Sequence, residues 1–262
     1  MHLLVHALRE GLSRAANPAP ALPLYLTGLL LGLLQAWPAL AAGSDAATIY
    51  ELSRGGGDSL AMYAISGGPA AAGTAALWVA GALAAATLYG AAYNFFSGGI
   101  LARWAGGGRF WASCRHSFWS FTGLGALLLL FAGFAVVLAA IVGSALGVLP
   151  GLVTAAVLLQ LANLLGEYAR AVVVVDGRRD PARAMREAIA LCARRPGALL
   201  LGLLGFGLHA GLAWLAWRGT SVVWVDLALA QLFALLWVWL KLLRLAWALA
   251  YARADRGLDT GV

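Results

Sequence analysis

Apolar residues in this chain fall in long unbroken blocks, separated by short segments that carry nearly all of the charge. The first block covers about 21–42, with no charged residue between Arg14 and Asp45. Others cover about 69–92, 121–147, 151–175, 196–217 and 221–240. Each holds about 20 residues or more, enough at 1.5 Å per residue to cross a hydrocarbon core of roughly 30 Å. The pattern predicts an all-α polytopic transmembrane bundle: six spans in a single integral membrane domain, with Pro150-Gly151 as the turn between the third and fourth.

Three segments between the blocks have an amphipathic period instead. In 2–16, Leu4, Leu8, Leu12 and Ala15 share one face, opposite His2, His6, Arg9 and Ser13. In 109–120, Phe110, Cys114 and Phe118 form a stripe that runs on to Phe121. In 181–194 the stripe is Met185, Ala188, Ile189 and Cys192, behind a good N-cap at Asp180 and a proline at the first helical position. All three are expected to lie flat at the membrane surface. The second and third follow matching spans and glycine–arginine loops, which reads as a parallel duplication with Cys114 and Cys192 in equivalent places. The loop over 43–68 is expected to hold two short helices, over about 46–54 and 58–65.

Composition agrees with the blocks. The 262 residues are 62% hydrophobic and 11% charged, against about 25% charged in soluble domains. The net charge of +7 would suit nucleic acid, but the basic residues sit in short loops between apolar runs. Placed on six spans, all eighteen Lys and Arg except Arg54 and Arg218 fall on one side. The positive-inside bias then puts both termini in the cytosol. Tryptophans mark both boundaries: Trp37, Trp78, Trp214, Trp217 and Trp224 outside, and Trp104, Trp111, Trp119 and Trp247 inside. Ala39-Leu40-Ala41 has the form of a signal-peptidase site, but the preceding apolar run exceeds a signal h-region. The two cysteines lie on the reducing side, so no disulfide is expected.

Polar groups within the apolar blocks are the candidate functional residues, because each is costly in lipid. Gln160, Asn163, Glu167 and Arg170 fall within an arc of roughly 80° on the fourth span. They either wall a hydrophilic path or make interhelical hydrogen bonds with a local Glu167–Arg170 pair. His209 and Asp226, on neighbouring spans, form a possible intramembrane pair, or each finds its own local partner. Lys241 and Arg244 read as snorkelling anchors at the end of the sixth span. Arg178, Arg179, Arg183, Arg186, Arg194 and Arg195 form an expected surface for anionic headgroups or a protein partner. GxxxG pairs at Gly28/Gly32, Gly143/Gly147 and Gly207/Gly211 allow close helix approach.

Catalytic patterns are missing. There is no HExxH, P-loop, GxSxG or paired CxxC. The string DGRRDPAR (Asp176 to Arg183) superficially resembles the acidic motif of CDP-alcohol phosphatidyltransferases. It departs at Val173, where the leading aspartate belongs, and lacks the trailing aspartates. Cys114 with His116 is too small a set for a metal, and no metal or cofactor is expected.

NFFSGGILARW, FWASCRHSFWSF and EYARAVVVVDGRRDPARAMREAIALCARRPGALL carry one broader likeness. Through them the middle half of the chain resembles bacterial six-span inner-membrane proteins of unknown function, the DUF4013-like group and the membrane domain of some glycerophosphodiester phosphodiesterases. The resemblance implies architecture and brings over no catalytic residue. The expectation is a non-enzymatic bacterial inner-membrane protein that organises or assists a partner protein or a lipid process. Its partners would be anionic lipid headgroups on the cytosolic side, another membrane protein or a second copy, and no nucleic acid. A small transporter or permease subunit using the fourth-span stripe is the alternative, and an intramembrane enzyme the third reading.

Overall fold

The computed structural model describes residues 2–17, 19, 22–31, 68–107, 109–177, 179–217 and 223–258. Of these, the backbone alone is described at 2, 68–72, 74–75, 78, 213, 216–217, 223–224, 226–228 and 230. The regular elements among the described residues are all helices: α1 (His2–Ala15), α2 (Leu22–Leu31), α3 (Gly68–Trp104), α4 (Phe110–Leu146), α5 (Val148–Asp176), α6 (Pro181–Arg194), α7 (Pro196–Trp217) and α8 (Val223–Asp255). Four stretches are long and apolar enough to cross a membrane: Val79–Trp104, Phe110–Leu146, Val148–Asp176 and Gln231–Asp255. The α6–α7 pair, bent by 98°, makes a fifth if it counts as one span. Large apolar side chains such as Leu129, Leu130, Phe134, Val148 and Leu149 are mostly exposed, a surface suited to lipid rather than water. The protein is helical and membrane-embedded. The expected helices at 46–54 and 58–65, and most of the first span, lie outside the described residues.

The chain forms two compact units, residues 23–93 and residues 1–22 with 94–262. In the first, Gly28 faces the Tyr89 ring at 3.5 Å from where a Cβ would stand. Gly32, its expected GxxxG partner, lies outside the described residues.

In the larger unit, helices begin and end for local reasons. The turn between α4 and α5 is at Gly147, with φ of 102°, rather than at Pro150-Gly151. Only glycine takes that backbone readily. Pro150 instead stands in the first turn of α5, where its missing N–H costs nothing. Gly177, at φ 64°, ends α5 in a left-handed cap. Asp180 begins α6 as expected: its side chain accepts from the amides of Ala182 at 3.0 Å and Arg183 at 3.2 Å. The 98° bend follows from Pro196, which keeps Arg195 out of the helical region and starts α7.

The amphipathic segments differ most from expectation. The second does not stand apart from the third span: Phe110 to Leu146 is one helix of 37 residues. No proline interrupts it, and Gly123 and Gly125 do not break the hydrogen-bond ladder. The other two segments turn their buried faces to protein. α1 packs along α8, with Ala7, Gly11 and Ala15 buried and Leu12 exposed. Gly11 lies directly on Trp247, and the Trp239 indole donates to the Ala15 carbonyl at 2.9 Å. Trp247 is therefore an internal contact, not a boundary marker. α6 packs on α5 and α4 through Ala184, Ala188, Leu191 and Cys192, while Ile189 is 47% exposed. Its buried face is rotated from the expected stripe, because small alanines permit closer helix approach than Met185 and Ile189 would.

Cys114 and Cys192 are both free and buried. Cys114 sits against Gly99 of α3. Neither thiol is expected to react with maleimide in the folded protein, and both should react once it is denatured in dodecyl sulfate. Intact-mass measurement before and after denaturation checks this.

Candidate functional site

α5 carries the polar stripe, and the structure divides it. Asn163 is exposed, Gln160 is half-buried, and Glu167 and Arg170 are buried. The hydrogen-bonded partner of Glu167 is on another helix. Arg244 of α8 donates from Nε to Glu167 Oε2 at 3.1 Å, and its Nη2 lies 3.0 Å from Oε1 as an ion pair. Arg170 donates to Asn94 Oδ1 of α3 at 3.0 Å. A hydrogen bond between two ionised groups is stronger than one between neutral groups.

Arg244 can reach Glu167 because α8 continues well past residue 240. Lys241 and Arg244 lie in mid-helix, not at an end, and 242–252 is among the most buried stretches described. Gly205 of α7 makes the room: a Cβ there would meet Arg244 Cγ at 2.7 Å and Cδ at 2.8 Å. The network joins α3, α5, α7 and α8. Asn94, Lys241 and Arg244 as members of it were not anticipated from sequence. None of Gln160, Asn163 and Glu167 lines the cavities described below.

His209 lies beside this network. Its Nδ1 donates to the Gly205 carbonyl at 2.9 Å, and its ring stands edge-on to Trp237 at 4.7 Å. A carbonyl only accepts, so the proton is on Nδ1 and Nε2 is bare. That Nε2 is buried without a hydrogen-bond partner. Asp226, its expected partner, is in α8, but its side chain lies outside the described residues.

The clearest concave site is at the arginine-rich end of the larger unit. One cavity of about 320 Å³ lies between the start of α4 and the end of α5, lined among others by Arg109, Ser113, His116, Ser117 and Arg179. A second, of about 550 Å³, is lined by Ala112, Arg115, His116, Trp119, Ser120 and Arg179. They share Ala112, His116, Ser120 and Arg179 and so form one groove. A third, of about 420 Å³, adjoins it through Ala102, Ser113 and Val174 and adds Arg253. Among the described residues no acidic side chain lines any of the three.

Two short bonds shape this groove. Ser120 Oγ donates to the Arg179 carbonyl at 2.9 Å, tying the loop before α6 to α4. Arg179 Nη2 lies 3.0 Å from His116 Nδ1. A guanidinium only donates, so His116 Nδ1 accepts and its Nε2 holds the proton. α4 starts in the groove wall with Arg109 as N-cap, and no side chain caps it. Uncapped first-turn amides and the positive end of the helix dipole favour an anion there.

The carboxylates that could neutralise the groove are engaged elsewhere. Glu10 pairs with Arg14, Asp176 with Arg256, Asp255 with Arg195, and Glu187 with both Arg183 and Arg256. Asp180 caps α6. Among the described residues Arg109, Arg115 and Arg179 make no ion pair. The expected cationic surface is thus divided. Arg183 and Arg195 are paired, Arg186 and Arg194 are exposed on α6, Arg178 lies outside the described residues, and only Arg179 joins the groove. Arg109, Arg115, His116 and Arg253 were missed as site residues. The signal for two of them was Arg115-His116 set among the aromatics of FWASCRHSFWSF.

Those aromatics flank the groove. Phe95, Phe96, Trp111 and Phe118 pack edge to face or tilted at 5.5–6.3 Å between centroids. Trp111 is 64% exposed and Trp119 77%. Exposed indoles beside arginines characterise the headgroup level of a bilayer. Among the described residues no cluster of His, Cys, Asp and Glu could hold a metal ion. No family model, curated protein or solved structure matches the chain.

Proposed function

We propose that this is a non-enzymatic multi-pass protein of a bacterial cytoplasmic membrane, which organises or assists a lipid process by holding anionic headgroups at its cytosolic end. The observation that carries the reading is the groove of Arg109, Arg115 and Arg179, whose charges no carboxylate among the described residues offsets. The full topology in this reading has six spans with both termini cytosolic. The arginine-rich groove then faces the anionic leaflet, where each basic residue near the surface contributes about 1 kcal/mol of attraction.

Transport along the α5 stripe is supported less well. A permeation path needs Glu167 open to water, and Glu167 is buried and paired with Arg244.

Purified protein should retain anionic phospholipid in excess over its share in the host membrane, measured by quantifying extracted lipids. Arg109→Gln/Arg115→Gln/Arg179→Gln should lose that excess and remain folded, since the three side chains are exposed. Equal retention of anionic and zwitterionic lipid would sink the proposal, and so would turnover of a lipid by the reconstituted protein. A cysteine placed in the N-terminal tail should react with an impermeant maleimide only in inverted vesicles; reaction in right-side-out cells would reverse the orientation.

A further inference from the structure

Resting on the headgroup reading above, we infer that the groove between the start of α4 and the end of α5 is a site for a phosphomonoester lipid, a headgroup carrying two negative charges, rather than for anionic lipid in general. Three features meet there independently. Arg109, Arg115 and Arg179 bring three positive charges to the joined cavities, and among the described residues no acidic side chain lines them. The N-terminus of α4 opens onto the same space with Ala112 and Ser113 in its wall and no side-chain cap. The buried Ser117 lies in the lining among the exposed arginines, while the Ser120 hydroxyl is already donated to the Arg179 carbonyl. Hydroxyl, amide and guanidinium donors at one place match the many acceptor oxygens of a terminal phosphate.

Charge balance chooses between the two kinds of phosphate. A phosphodiester headgroup brings one negative charge and leaves two of the three arginines uncompensated. A terminal phosphomonoester, with a second pKa near 6, brings about −1.5 to −2 at neutral pH. Neighbouring arginines favour its fully ionised form. Arginine forks also suit the terminal phosphate better, since it presents three free oxygens where a diester presents two. His116 is set to assist: with Nδ1 accepting from Arg179, its Nε2–H is left to donate. The lipid source is favoured over a soluble phosphate ester by Trp119, an indole that lines the groove and is largely exposed.

The test uses the full chain in phosphatidylcholine nanodiscs doped with equal fractions of phosphatidic acid or phosphatidylglycerol, with bound lipid counted by native mass spectrometry. Phosphatidic acid should be bound about tenfold more tightly than phosphatidylglycerol. Arg115→Gln and Arg179→Gln should each remove most of that preference. Arg183→Gln, which alters an arginine already paired with Glu187, should keep it. Equal binding of the two lipids, both above phosphatidylcholine, would overturn this inference and leave the proposed function standing. Absence of any anionic preference would overturn both. Displacement of phosphatidic acid by glycerol phosphate or inorganic phosphate at matching concentration would overturn the membrane source, because the site would then recognise a soluble ester.

Discussion

Glu167→Gln is expected to destabilise the larger unit by about 3–5 kcal/mol, one of the two largest effects foreseen for a single substitution here. The substitution keeps size and shape but removes the charge that Arg244 meets at 3.0 and 3.1 Å. Arg244 is 8% exposed, so its guanidinium would stay buried with no carboxylate to balance it. Arg244→Met should do comparable harm, by leaving Glu167 uncompensated. The double variant Glu167→Gln/Arg244→Met should recover most of the loss, because breaking a buried pair costs far more than replacing it whole. Thermal unfolding in detergent, followed by intrinsic fluorescence, gives all four corners of the cycle. Additive losses in the double variant would mean that the pair does not act as a unit. Asn163→Ala serves as the contrast: Asn163 is exposed, and its loss should shift the midpoint very little despite its place on the same helical arc.

The second large effect falls on a glycine. Gly151→Ala should cost about 1–3 kcal/mol, the usual range for overpacking. A Cβ at Gly151 would stand 2.8 Å from the Ala139 carbonyl oxygen and 2.8 Å from Gly143 Cα. Both are backbone atoms, so relief requires α4 and α5 to move apart. Gly207→Ala and Gly211→Ala should be neutral or slightly stabilising. Among the described residues nothing lies within 4 Å of either added methyl, and alanine favours a helix by about 1 kcal/mol over glycine. Melting temperatures of the three variants decide the matter, and a large loss at Gly207 with none at Gly151 would contradict the packing described. The comparison shows why a GxxxG string is weak information. Gly207 and Gly211 have the spacing and no neighbour. Gly202 and Gly205, three apart, take the close contacts with Leu164 and Arg244.

The groove illustrates the same limit. The basic residues were legible as loop charges, and Arg179 was among those expected to form a cationic surface. What could not be read was which arginines keep their charge available. Arg183 and Arg179 stand four residues apart in a run of similar residues. Arg183 meets Glu187 one turn along its own helix, whereas Arg179 faces His116, distant in sequence, through the packing of α4 against α5. Arg244 was misjudged for a related reason. Judged on local hydropathy it ends a span; packed under Gly205 it is the partner of Glu167.

By itself, the sequence determined what depends on composition and short-range periodicity. That covers the helical class, the long apolar segments, the N-cap at Asp180, and the helix break before Pro196. These follow from the hydrocarbon thickness, the backbone limits of proline and glycine, and hydrogen bonds between residues a few positions apart. Tertiary structure alone decided where the amphipathic faces go and how the charges divide. α1 and α6 bury against other helices, because small residues such as Gly11, Ala184 and Ala188 let backbones approach. Asp176, Glu187 and Asp255 are consumed in pairs, and Arg109, Arg115 and Arg179 are left lining one groove. Charge pairing is set by distances of a few ångströms between residues tens of positions apart, which periodicity along the chain does not encode.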